Sequence, residues 1–293
     1  MQEKAGFIGL GIMGAPMAKN LLRAGVKLYV SDVAEAAVAR LTGQGAVQMT
    51  PEEMAAECSI IFLMLPNGAI VKNVLFGENG LAQHLRPGTL VVDMSSVSPI
   101  DSRECAGRLE ALGASFLDAP VSGGEEGAIN GSLAIMVGGS EESFLRAKPF
   151  FEILGAEATL VGGTGSGSVT KLANQIIVNL NIAALSEALV FAKKAGAEPQ
   201  KVVEAIRSGL AGSRVMEAKA PRMIARNFAP GGKIAINHKD IRNVLNTAHQ
   251  IDAPVPMSAG LFEMMQALKN AGYFQEDHSA LIKYFEMLSG LES

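Results

Sequence analysis

Cysteine, histidine and aromatic residues are all scarce in this chain. The two cysteines, Cys58 and Cys105, stand at no metal-binding or redox spacing and read as buried thiols in a reducing compartment. The four histidines, His84, His238, His249 and His278, are scattered and none falls in a metal motif, so no metal site is expected. Basic residues form no block and the net charge is −4, which argues against a nucleic-acid partner. No signal peptide is read ahead of the first apolar run, because Glu3 and Lys4 lead directly into AGFIGL. Together with the few cysteines this points to the cytoplasm. The least charged stretch, 172–186, contains Asn174, Gln175, Asn179 and Asn181. It falls short of the ~20 apolar residues a membrane span needs, and a helix buried in protein is expected there.

What the chain has in quantity is small and apolar. Glycine occurs 32 times, apolar residues make up 48% and aromatics 5%, a mix suited to a packed α/β protein with many tight strand–helix turns. The 293 residues are enough for one large domain or two ordinary ones. Through the first half, apolar runs at 5–10, 27–31, 59–65, 89–94, 115–119 and 133–137 alternate with helical stretches. Runs such as IIFLML are apolar on both faces, as a parallel strand covered by helices on both sides requires. The alternation predicts a doubly wound sheet. Beyond Gly162 helical periodicity takes over, at about 168–195, 199–208, 213–226, 239–250, 256–270 and 278–289, punctuated by glycine and proline. The expected fold class is therefore α/β: a dinucleotide-binding domain over 1–162 joined to an all-α domain over 163–293. The 168–195 helix, ~28 residues and ~40 Å long, is apolar nearly all round and belongs between domains or subunits.

The first strand runs into Gly9-Leu10-Gly11-Ile12-Met13-Gly14, a G-x-G-x-x-G turn that opens a helix. Gly9 permits the tight turn, Gly11 lets the backbone approach a pyrophosphate, and Gly14 allows close helix–strand packing. The helix start then offers N–H groups and a positive dipole end to the phosphates. Such a turn predicts an acidic residue about 20 residues on, and Asp32 ends the second strand, 18 residues after Gly14. A carboxylate there accepts from both adenosine ribose hydroxyls and repels a 2′-phosphate. Val33 follows where an arginine would grip that phosphate, so NADH is preferred, with NADP the second option. Further cofactor contacts are expected where strands three and four end, at Leu65-Pro66-Asn67 with Ile70 beyond them, and at Ser95-Ser96. Pro66 as a strand stop and Ser95 or Ser96 as a helix cap are the plainer alternatives.

Ser122-Gly123-Gly124 closes the fifth strand on the same edge. Its successive N–H groups can hold a substrate carboxylate, or the three residues are an ordinary glycine turn. Lys171 shares a helix face with Ser168, Asn174, Gln175 and Val178. It is either a general acid for the alkoxide left by hydride transfer or a lysine reaching from a helix end to solvent. With no metal motif to polarise a carbonyl, an ammonium is the available electrophile. In NHKD, 237–240, Asn237 is expected to cap a helix with Asp240 in its first turn. Lys239 is a solvated helix-start lysine or a cofactor contact.

GFIGLGIMGAPMAKNLLRAG, MLPN, DMSSVSP, DAPVSGGEEGAINGSLAIMVGG, GSGSVTKLANQ and NHKD, in that order and nearly end to end, resemble the β-hydroxyacid dehydrogenase family. TKLANQIIVNLNIAALSEAL, GLAGS and DHSAL bring the chain nearest to the branch that reduces tartronate semialdehyde. The resemblance implies a Rossmann domain joined by a long helix to a helical domain, with homodimers or homotetramers built on the helical part. It implies reduction of tartronate semialdehyde to D-glycerate with NADH. Reduction of other short semialdehydes or glyoxylate, or 3-hydroxyisobutyrate oxidation, is the near alternative, and a non-catalytic NAD-binding protein is the distant one. It makes Lys171 the proton donor, gives Ser122, Gly123 and Gly124 the substrate carboxylate, sets Lys239 at the nicotinamide end and lets Ser96 touch the cofactor. Many members carry asparagine four residues after the lysine. Here that position is Gln175, preceded by Asn174, and either amide is a candidate for the substrate.

Overall fold

The computed structural model describes residues 3–291. The chain divides into two compact units, Met1–Lys171 and Leu172–Ser293. In the first, strands β1 (Ala5–Ile8), β2 (Leu28–Ser31), β3 (Val47–Gln48), β4 (Ile60–Leu63), β5 (Leu90–Asp93), β6 (Ser115–Asp118), β7 (Val121–Ser122), β8 (Leu133–Gly138) and β9 (Gly155–Gly162) form one sheet. Their order is β3-β2-β1-β4-β5-β6-β8-β7, with β9 paired to β8. Pairing is parallel from β3 through β6, antiparallel from β8 to β6 and β7, and parallel again between β8 and β9. The connecting helices are α1 (Gly14–Arg23), α2 (Glu35–Thr42), α3 (Pro51–Glu57), α4 (Gly68–Phe76), α5 (Pro99–Glu110), α6 (Gly124–Asn130) and α7 (Glu141–Leu154).

Alternation along each strand sorts the apolar side chains into two cores. Phe7, Ile60, Phe62, Val92 and Leu117 enter one, with Phe150 and Phe151 of α7. Ile8, Ile61, Leu63, Val91 and Phe116 enter the other. A strand buried on both sides has no polar face to spare, which is why IIFLML reads as an unbroken apolar run. Cys58 and Cys105 lie in the second of these cores. Burial pushes the Cys58 thiol up to about 11 and the Cys105 thiol up to about 12, so both are packing groups.

The second unit is helical. Helix α8 (Ser166–Lys194) crosses the division at Lys171, and α9 (Pro199–Ile206), α10 (Arg214–Ile224), α11 (Ile234–Gln250), α12 (Pro256–Asn270) and α13 (Ile282–Leu288) follow. Leu172, Ile182, Leu185 and Leu189 of α8 pack with Met216, Ile241, Leu261, Met265 and Phe285. By length and composition α8 could cross a membrane, yet half of its most apolar window is buried within the protein. That is how the core helix of a bundle behaves.

The structure departs from the sequence expectation in two places. Strands β3, β7 and β9 were not foreseen. The first two are only two residues long, and β9 follows α7 with no intervening turn, its pairing supplied by β8. Helix α11 starts at Ile234, so Asn237 does not cap it. The Asn237 amide instead donates back to the Lys233 carbonyl at 3.0 Å. The first N–H groups of α11 need no side-chain cap, because Ile234 N–H donates to the Glu276 carbonyl and Ala235 N–H to that of Phe274.

Candidate active site

The glycine turn sits where the sheet reverses direction, between β1 and β4, at the carboxyl ends of the strands. Its three glycines are required for three different reasons. Gly9 has φ +98°, and a Cβ on it would lie 2.3 Å from the Met64 carbonyl oxygen. A Cβ on Gly14 would lie 1.9 Å from the Gly9 carbonyl oxygen, so α1 begins in backbone contact with the turn. A Cβ on Gly11 would meet nothing within 4 Å. Gly11 faces open space, as a backbone that approaches a pyrophosphate must.

Helix α1 has no side-chain cap and no acidic residue in its first turn. By contrast, α3 carries a Thr50–Glu53 capping box, and α5 and α7 are capped by Ser98 and Ser140. The uncapped start leaves the Gly14 N–H and the positive dipole end for an anion, since Ala15 N–H donates to the Gly11 carbonyl at 3.0 Å and Pro16 has no N–H. Asp32, half-buried at the end of β2, accepts from Leu10 N–H at 2.5 Å and Ala34 N–H at 2.7 Å. Its carboxylate therefore ties β2 to the glycine turn while keeping lone pairs for ribose hydroxyls. Three large apolar side chains stay exposed along this edge: Ile12 at 52%, Ile70 at 38% and Val33 fully. The residues present fit a dinucleotide.

At the neighbouring strand ends, the Ser95 hydroxyl accepts from Leu65 N–H at 2.8 Å and so joins β5 to β4. Asn67 caps α4 by accepting from Ile70 N–H at 3.0 Å. Ser98, not Ser95 or Ser96, caps α5. Ser96 is half-buried, and Leu65, Pro66 and Ile70 line the same end. Ser122-Gly123-Gly124 joins β7 to α6, with φ +139° at Gly123 and +64° at Gly124. This turn and the first-turn N–H groups of α6 lie at the same edge. Lys171 is 9% exposed, so it does not reach out to bulk solvent. The start of α8 ahead of it is held by Asp118, whose carboxylate accepts from Gly165 N–H and Ser168 N–H, both at 2.7 Å. The Ser168 and Ser102 hydroxyls are 2.9 Å apart. Burial pushes the Asp118 carboxyl up, and the N–H groups of Ser168 and Gly165 pull it back.

Asn174, Gln175 and Lys239 belong to the second unit and form a group of their own. The Gln175 amide donates to Asp240 at 2.6 Å and to Asn237 at 3.3 Å, and its oxygen accepts from Asn174 at 3.0 Å. Lys239 pairs with Asp240 at 3.1 Å. Among the described residues no three His, Cys, Asp or Glu side chains are grouped as metal ligands. The roles of Asp118 and of the Ser102–Ser168 pair escaped sequence reasoning, and Ser95, placed at the strand end by the sequence, ties β5 to β4 rather than capping a helix. Their partners lie 30 to 66 residues away, and only an aspartate at the end of an apolar run hinted at a role for Asp118.

Two family models cover nearly the whole chain. Residues 4–163 match the NAD binding domain of 6-phosphogluconate dehydrogenase, and residues 165–285 match the NAD-binding domain of NADP-dependent 3-hydroxyisobutyrate dehydrogenase. The chain is 49% identical to 2-hydroxy-3-oxopropionate reductase of Escherichia coli K12 over 98% of both chains. It is 40% identical to 2-(hydroxymethyl)glutarate dehydrogenase of Eubacterium barkeri over 98% of this chain and 96% of the relative. Among solved structures, 3-hydroxyisobutyrate dehydrogenase of Mycobacterium tuberculosis with L-serine superposes with a TM-score of 0.89 at 30% identity, over 97% of this chain and 99% of that one.

Proposed function

The chain belongs to the NAD(P)-binding β-hydroxyacid dehydrogenase family, and on that premise we propose that it reduces tartronate semialdehyde (2-hydroxy-3-oxopropanoate) to D-glycerate with NADH. Bound NADH supplies the hydride. The glycine turn and α1 hold its pyrophosphate, Asp32 its adenosine ribose, and Leu65, Pro66, Asn67, Ile70 and Ser96 line the path beyond. Ser122, Gly123 and Gly124 take the substrate carboxylate through their N–H groups and the Ser122 hydroxyl. The Lys171 ammonium donates a hydrogen bond to the substrate carbonyl oxygen and gives it a proton as the alcohol forms. Asn174 and Lys239 are the helical unit's candidates for substrate and cofactor. Gln175, engaged at both ends of its amide, orients Asn174.

The observation that carries this reading is the burial of Lys171 in the unit that holds the glycine turn and the Ser122–Gly124 turn. A lysine is almost never buried unless its ammonium is paired, so Lys171 is held within the protein, in the unit that carries both turns. The choice of substrate is supported by the end-to-end likeness to the E. coli reductase. Lys171→Ala should lower kcat by roughly 10²–10⁴ while the Kd for NADH stays within about twofold. Near-normal turnover would remove the lysine from the mechanism. A panel of tartronate semialdehyde, succinic semialdehyde, glyoxylate and 3-hydroxyisobutyrate, ranked by kcat/KM, tests the substrate. A methylene more or less in the pocket is worth only ~1–3 kcal/mol, so slower turnover of neighbours is expected.

The protein acts as a homodimer or homotetramer. Along one face of α8, Ile177 is 63% and Phe191 73% exposed, with Ala184 and Ala188 exposed between them at helical spacing. Ile177→Glu with Phe191→Glu should lower the mass measured by light scattering. A cytoplasmic location suits its two buried thiols.

A further inference from the structure

We propose that Asp118 is the positioning residue for Lys171: it clamps the first turn of α8 onto the ends of β6 and β8 and thereby sets where the lysine presents its ammonium. This rests on Lys171 being the acid. Asp118 ends β6 and is 1% exposed. Both of its carboxylate oxygens are committed to the start of α8, one to Gly165 N–H and one to Ser168 N–H. The capping residues of α3, α5 and α7 are the hydroxyl residues Thr50, Ser98 and Ser140, each immediately ahead of its own helix. Thr164 and Ser166 were at hand for α8. Instead the chain buries a carboxylate that is 47 and 50 residues distant from its partners. A local cap satisfies N–H groups equally well, but it cannot fix a helix to a strand.

The contact surface is built for that fixing. A Cβ on Gly167 would lie 2.3 Å from the Asp118 carbonyl oxygen and 2.4 Å from that of Met136. A Cβ on Gly138 would lie 2.5 Å from an Asp118 carboxylate oxygen and 2.7 Å from Gly167 N. Glycine at both positions lets the helix turn sit on the sheet edge backbone to backbone, with no side-chain layer between. The Ser102–Ser168 hydroxyl pair adds a third tie, from α5. Lys171 follows Ser168 by three residues, ~4.5 Å along the helix axis, within the same clamped end. Asp118 also precedes Ser122 by only four residues, so a single buried side chain relates the anion-binding turn to the lysine. A misplacement of ~1 Å in such a pair costs on the order of a hundredfold in rate.

The test is a double-mutant cycle of Asp118→Asn with Lys171→Ala in the full-length protein, with active enzyme counted by NADH titration. The asparagine is isosteric but turns an NH2 toward one of the two N–H groups. Asp118→Asn should lower kcat at least tenfold with the Kd for NADH within twofold. In the Lys171→Ala background it should change the residual turnover less than twofold, because there is no lysine left to misplace. A general structural loss would instead multiply through both backgrounds. Equal losses in the two backgrounds, or a folded Asp118→Asn enzyme within twofold of wild type, would overturn the proposal. Should Asp118→Asn fail to fold, the same cycle with Ser102→Ala decides: a fewfold loss confined to the lysine-containing background supports the clamp, and no such coupling overturns it. Near-wild-type turnover of Lys171→Ala itself would sink the underlying reading, and it is read from a separate variant.

Discussion

Two glycines three residues apart should fail in opposite ways when each is changed to alanine. At Gly14 the new methyl would stand 1.9 Å from the Gly9 carbonyl oxygen, where real Cβ contacts stay beyond 3.0 Å, so α1 must lift from the turn by at least 3.0 − 1.9 = 1.1 Å. Overpacking of this kind costs about 1–3 kcal/mol. At about 2–4 °C per kcal/mol for a domain of this size, Tm should fall by roughly 2–12 °C. At Gly11 nothing lies within 4 Å and φ is not positive. Alanine there restricts the unfolded chain and should leave Tm unchanged or raise it, by the equivalent of about 0.4–1 kcal/mol. Its methyl, however, occupies the space into which the pyrophosphate must come. NADH affinity should drop at least tenfold, ~1.4 kcal/mol. Thermal melts without ligand, paired with NADH titration by fluorescence, separate the two effects. A Gly11→Ala protein that binds NADH within twofold of wild type, or a Gly14→Ala protein with wild-type Tm, would refute the division of labour in this turn.

Other substitutions probe other parts of the molecule. Asp32→Ala with Val33→Arg should move the ratio of kcat/KM for NADH over NADPH toward NADPH, and should cost about 1 kcal/mol of stability because Leu10 N–H loses its acceptor. A wild-type enzyme that already prefers NADPH would contradict the role given to Asp32. Burial, assisted by Lys219, pushes the His278 imidazole from 6.5 down to about 3. Between those values the unfolded chain binds the extra proton, so stability is full above pH 6.5 and falls as the pH drops. By pH 5 the loss should approach about 2 kcal/mol, and His278→Gln should flatten the Tm-versus-pH curve between pH 5 and 7. An unchanged slope in that variant would remove His278 as its source.

Most of the first unit was legible because its signals are local. IIFLML and TLVVDM are apolar on both faces because parallel strands between helix layers have no solvent side. Gly9, Gly11, Gly14 and Asp32 lie within 24 residues of one another and carry their roles in their spacing. β9 was missed because GAEATLVG has no strand pattern of its own and takes its pairing from β8. The start of α11 was misplaced because its N–H groups are satisfied by carbonyls 39 and 42 residues further along, so no capping residue marks the boundary.

Chain order and residue type were enough to specify a Rossmann-type sheet, a dinucleotide turn, a helical second half and a lysine at the head of a long helix. Each of these depends on interactions within about one element and its turn. Residue type left open whether Lys171 is buried or solvated and which serine caps which helix. It also could not say what holds the start of α8 to the sheet. Those outcomes depend on which groups meet across long separations, as Asp118 meets Gly165 and Ser168, and Gln175 meets Asp240. Such meetings arise only when packing brings distant backbone and side-chain groups within hydrogen-bond reach, and a buried carboxylate or amide must then find its partners there.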